Sequence, residues 1–212
     1  MPRNLLLFCG ALVVTAACGA ERDSGTPADA DASGRAPAAE QAGGSVHVML
    51  APTSGHGASG MLMLDDTAGG VRVTGRIAGL PARRDLGFHV HEIGDCTAAD
   101  ASSAGEHFNP TLQPHGDPAG DRHHAGDMRN LDVDGEGAAD VDVTLDGLSL
   151  DGPADRSLRH RAIVVHAEAD DYETQPAGAS GDRVACGVIG TDGMSGGADV
   201  NPPAGTTPRG QP

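Results

Sequence analysis

Apolar and polar residues alternate in seven short stretches of the chain, each bounded by turn residues: "SVHVMLAP" (45–52), "GMLMLDD" (60–66), "GVRVTGRIAGL" (70–80), "LGFHVHE" (86–92), "AADVDVTL" (138–145), "RAIVVHAE" (161–168) and "VACGVIG" (184–190). Alternation with period two predicts half-buried β-strands, and no segment offers a sustained helical period. Strands of this number and size predict an all-β sandwich or barrel. Two intervals break the rhythm, residues 93–129 and 170–183, and a loop that long inside a domain is either functional or disordered. Residues 19–44 and 193–212 contain almost nothing large and apolar, so they read as a flexible tether and a disordered tail around a folded domain at 45–192.

Composition narrows the picture. The 212-residue chain has no Trp, one Tyr and three Phe, so its core must be built from aliphatic side chains. Gly 32 and Pro 14 suit a loop-rich β fold. Its net charge is −16 and all 14 basic residues are Arg, which leaves no basic face for nucleic acid. The start, "MPRNLLLFCGALVVTAAC", has an apolar run too short to span a bilayer and reads as a signal peptide over 1–18. Its "TAAC" end resembles a bacterial lipobox with Cys18 as the lipidated residue, although Thr15 is unusual there and plain secretion stays open. This places the protein in the bacterial envelope or periplasm. Cys9 would leave with the signal, so Cys96 and Cys186 remain, either as a disulfide in an oxidising compartment or as two buried thiols. Closing that loop restricts the unfolded chain by about 4–5 kcal/mol in the chain-entropy account.

Candidate chemistry lies in the histidines. In "GFHVHEIGDC", His89 and His91 share one face of a strand and Phe88 and Val90 the other. Two imidazoles so placed can grip a metal ion or can be solvated polar residues on a half-buried strand. The first long interval, "GEHFNPTLQPHGDPAGDRHHAGDMRN", supplies His107, His115, His123, His124 and Asp127. Three histidines and an aspartate from one loop can close a tetrahedral zinc site. "AIVVHAEADD" adds His166 at a strand end, and imidazole suits copper as well as zinc.

The motifs "GFHVHE", "SAGEHFNP", "HAGDM", "VVHAEADD" and "GDRVACGVIG", in order and over about 45–190, resemble the exported bacterial copper/zinc superoxide dismutases. The resemblance implies an immunoglobulin-like Greek-key β-sandwich or barrel of about eight antiparallel strands with two long functional loops. It implies copper on His89, His91, His107 and His166, and zinc on His107, His115, His124 and Asp127, with His107 bridging the two ions. The "HAGD" pattern selects His124 over His123. Asp170 would link a copper histidine to a zinc histidine, His89 to His115. Arg183 would hold the anionic substrate beside copper, with His107 and Arg183 as the catalytic residues. The implied reaction is dismutation of two superoxide anions to O₂ and H₂O₂, by a monomer or a homodimer. The alternative is a non-catalytic copper-binding or copper-buffering envelope lipoprotein on the same fold. An acidic chain without lysine lacks the steering lysines of some relatives and predicts a slower encounter with superoxide. His160 stands where relatives commonly have glycine, and Arg129 follows the zinc aspartate; neither is expected to touch a ligand.

Overall fold

Each alternating stretch forms a strand that turns its apolar residues to a common interior. The protein is described by a computed structural model over residues 44–190, so the segments read as signal peptide and tail, and the tether up to residue 43, lie outside the described residues. A meander of β1 (Ser45–Pro52), β2 (Ser59–Asp66) and β3 (Gly70–Ala78) comes first. After it come β4 (Asp85–Leu86), β5 (Phe88–His91), β6 (Leu131–Asp132), β7 (Ala138–Asp146), β8 (Ala162–His166) and β9 (Arg183–Val188). All strand pairings are antiparallel. Seven strands form one curled sheet in the order β5-β8-β9-β1-β2-β3-β7, and β4 pairs with β6. Only Gly87 separates β4 from β5, so the described residues hold nine strands where about eight were expected. Crossovers place β9 beside β1 and β7 beside β3.

The interior is aliphatic, as the composition requires. Val46, Val48 and Leu50 meet Leu62, Leu64, Val73, Ile77, Phe88, Val90, Ile163 and Val165 in one cluster. Each large side chain fully buried there contributes about 1.5–3 kcal/mol. The missed element is β6, whose two residues are too few to show a period. A 3-10 turn at Ser102–Ala104 also lies inside the first long loop.

β5 and β8 depart from the half-buried pattern, since every residue of both is buried. Phe88 and Val90 face the core, while the other face, with His89 and His91, is covered by the long loops. Ala162 and Val164 of β8 and Cys186 of β9 form a second apolar cluster with Ala101 and Ala104 of the first loop, against Cys96. Cys96 and Cys186 are joined as a disulfide, their Cα atoms 5.8 Å apart, which staples the first loop to β9. His160 adopts φ 62°, a left-handed conformation that costs a side-chain-bearing residue about 1–2 kcal/mol and suits glycine. Its N–H donates to Ile189 O at 2.9 Å, holding the turn into β8.

Candidate metal centre

His89 and His91 project from β5 and His166 from the end of β8, side by side because the two strands pair. The first long loop then returns to β5 on its open edge. Phe108 N–H donates to Val90 O at 2.8 Å and Val90 N–H to Gly126 O at 2.9 Å. These bonds set His107 against His91 and Asp127 against His89. Main-chain pairing thus positions the loop's side chains as firmly as those of the strands.

Two donor groups result: His89, His91, His107 and His166, and His107, His115, His124 and Asp127, the candidate ligand atoms in each within 4.8 Å of one another. All are buried, and His107 belongs to both. One nitrogen of most rings is anchored from behind. His89 Nε2 meets Asp170 Oδ2 at 2.7 Å, His91 Nδ1 meets Gly105 O at 2.9 Å, and His166 Nδ1 meets Gly181 O at 3.3 Å. His115 Nε2 meets Asp170 Oδ1 at 2.9 Å; His107 is different, since its Nδ1 meets Asp127 Oδ1 at 2.8 Å within its own donor group. The opposite nitrogens, His89 Nδ1, His107 Nε2, His115 Nδ1 and His124 Nδ1, are buried without a hydrogen-bond partner. His115 Nδ1 lies 3.0 Å from Asp127 Oδ2, close but not aligned as a hydrogen bond. His91 Nε2 and His166 Nε2 stand 3.3 Å apart, facing nitrogens whose lone pairs repel unless a cation or proton lies between them. A buried unpaired polar atom costs about 1–3 kcal/mol, so the arrangement fits metal ions.

Electrostatics follow the geometry. Burial pushes His89 down to about 4 and His91 down to about 2, and carries His166 well below its ordinary value. Neutral rings at pH 7 are ready to ligate. Burial works against charge on His115, but the carboxylates of Asp127 and Asp170 beside its ring raise it to about 9. Burial would likewise raise Asp127 and Asp170. Contacts with His107, His115 and His124 hold Asp127 well below the usual carboxylate range, and His115 and His89 do the same for Asp170. In the metal-free protein, the unfolded chain therefore binds more protons than the fold at His89 and His91 below pH 6.5, so stability falls as acid is added. His115 acts oppositely: its contribution is complete below pH 6.5 and is lost as pH rises through 9. Thermal unfolding in chelator should accordingly give a melting temperature that peaks near pH 6.5–7; a steady rise from pH 5 to 9 would refute this.

Arg183, the first residue of β9, donates from Nη1 to Ala101 O and from Nη2 to Gly105 O, each at 2.6 Å. Carbonyls hold it rather than a carboxylate, so its charge is not neutralised. It lines a cleft of about 240 Å³ with His91, Glu106, His107 and His166. His123 turns its ring to His124 O and Arg129 is exposed; neither belongs to a donor group.

Two amides that no sequence motif marks hold the site's main chain. Gln175 Oε1 accepts from His115 N–H and its Nε2 donates to His115 O, both at 2.9 Å. Asn130 clamps the Asp170 main chain in the same way, with Nδ2 donating to its carbonyl and Oδ1 accepting its N–H, also at 2.9 Å. Lone amides in polar loops carry no local signal of such a role.

Fold and donor set together define a β-barrel protein with two buried groups that could hold metal ions and that share His107. The chain belongs to the copper/zinc superoxide dismutase family, whose profile (SODC) matches residues 58–189. It is similar to copper-zinc superoxide dismutase 1 of Aquifex aeolicus (strain VF5), 38% identical over 133 residues, which are 61% of this chain and 79% of that protein. Among solved structures, a SOD-like protein from Bacillus subtilis is 35% identical with a TM-score of 0.61, covering 68% of this chain and 97% of that one. A double mutant of that protein gives 36% and 0.62 over 68% and 96%.

Proposed function

We propose that this superoxide dismutase holds copper in the group His89, His91, His107 and His166 and zinc in the group His107, His115, His124 and Asp127, with His107 between them. The carrying observation is the set of four buried ring nitrogens without partners, divided between two groups that share His107. Four imidazoles suit copper, and three with a carboxylate suit tetrahedral zinc.

Bound copper would supply the one-electron redox cycle by which two superoxide anions and two protons, one of them from water, become O₂ and H₂O₂. The chain's residues do the rest. The Arg183 guanidinium attracts and seats the anion in the cleft; this local charge counts for more than the global −16, because the low-dielectric walls of a cleft focus field lines. His107, its Nδ1 directed at Asp127, keeps Nε2 available to take up and return a proton. Asp170 fixes the rings of His89 and His115 from behind and raises their basicity as ligands.

Metal analysis of the purified protein should find one copper and one zinc per chain, with copper-dependent loss of superoxide. Arg183→Glu should keep both metals and lower kcat/KM by about tenfold or more. Copper binding without dismutation would instead favour the copper-buffering lipoprotein. The leader supports export to the bacterial envelope with lipid on Cys18; Cys18→Ser should then move the protein from the membrane to the soluble fraction, and an unchanged distribution would refute the anchor.

A further inference from the structure

Strands β1 and β2 carry another set of donor atoms on the face turned away from the interior. In their register Met49 lies opposite Met61 and His47 opposite Met63. The four residues form a two-by-two block, because directly opposed Cβ atoms are about 4.5–5.5 Å apart and same-strand members are two residues apart. Val46, Val48, Leu62 and Leu64 alternate with them and fill the core, so the block points outward. Met49, Met61 and Met63 are 40%, 53% and 39% exposed, and His47 is exposed as well.

This use of methionine is particular to one part of the sheet. Three of the six methionines stand here. On neighbouring β3 and β7 the outward positions carry charge pairs, Arg72 with Asp142 and Arg76 with Asp140 and Asp134. Those pairs neutralise the two guanidinium groups nearest the block. Asp65, two residues from Met63, adds negative charge at one end.

Thioether sulfur is soft and polarizable, bears no proton to displace, and with imidazole selects monovalent d¹⁰ copper over Cu(II) or zinc. Three flexible methionine side chains and the His47 ring can converge from the four corners on one ion. We propose that His47, Met49, Met61 and Met63 form a surface site for Cu(I), separate from the centre around His107. The site stands on β1, whose end pairs with β9 at Ala51 and Cys186, so the ion would be held one strand from the strand that bears Arg183.

The full-length protein is titrated with Ag(I), a redox-inert ion of the same charge and softness, while methionine methyl signals are followed by NMR. Met49, Met61 and Met63 should shift together with the His47 ring and saturate at one equivalent, while Met128, buried in the core, does not move. The double variant Met61→Leu with Met63→Leu keeps the face apolar and similar in shape. It should abolish the common shift and leave the copper and zinc content of the His107 centre unchanged. Absence of the shift, independent unsaturated shifts, or full retention in the double variant would overturn the proposal. Methyl shifts that track protein concentration instead of Ag(I) would also overturn it, by assigning the face to a second copy of the chain. Each of these failures leaves the reading of the His107 centre intact.

Discussion

Gly178→Ala is expected to cost the protein about 2–4 kcal/mol of stability and to weaken zinc binding by about 10–100-fold. Gly178 has φ 65°, a region alanine enters at a cost, but conformation is the smaller part. A Cβ there would stand 1.8 Å from Asp170 Oδ1 and 2.7 Å from His115 Nε2. Either the second loop withdraws or the carboxylate leaves its place between His89 and His115. With the carboxylate gone, both rings lose their orientation and His115 loses a partner that favours its proposed role as a zinc ligand. Zinc competition titrations and thermal unfolding of the metal-free protein check the two effects. Gly55→Ala supplies the contrast, since its φ is 85° and a Cβ would meet nothing within 4 Å. It should show the conformational cost alone, so equal zinc affinities in the two variants would sink the argument.

Opening the disulfide with Cys96→Ala and Cys186→Ala is expected to cost about 2–4 kcal/mol and to lower kcat/KM by about tenfold with both metals retained. Stability falls because the bridge closes a sequence separation of 90 residues in the unfolded chain. Activity falls for a different reason. The carbonyls that hold the Arg183 guanidinium belong to Ala101 and Gly105, on the loop that Cys96 ties down. Arg183 itself begins the strand that carries Cys186. Without the bridge, loop and strand are joined by those two hydrogen bonds and a small alanine cluster, and the guanidinium loses its fixed aim into the cleft. Alanine suits the substitution because neither position then buries an unpaired polar atom. Metal analysis beside steady-state kinetics separates the outcomes: lost stability with unchanged kcat/KM would make the disulfide a staple only.

Much of this was legible in the chain. Seven alternating stretches became strands within a residue or two of their expected bounds, because a strand with one face on a core must place apolar residues at every second position. β6 left no such mark, being two residues long. The loop histidines were visible as donors, since five potential ligands within 21 residues of a loop are hard to explain by solvation, whereas His89, His91 and His166 drew a metal role only from the family motifs. The amide clamps of Gln175 and Asn130 were not visible. Their partners are main-chain atoms of His115 and Asp170, 60 and 40 residues away, and a main-chain partner has no signature in sequence.

By itself, then, the sequence determined the longer strands, the supply of imidazoles and the family motifs, because period, donor type and local spacing are properties of neighbours along the chain. Only the tertiary structure decided which face of β5 a loop covers and which nitrogen of each ring is left open. His89 presents Nδ1 because Asp170, 81 residues on, takes Nε2; His115 presents Nδ1 because the other oxygen of the same carboxylate, 55 residues on, takes its Nε2. Orientation of a ring depends on what stands behind it, and what stands behind these rings arrives only when two distant loops fold over one strand.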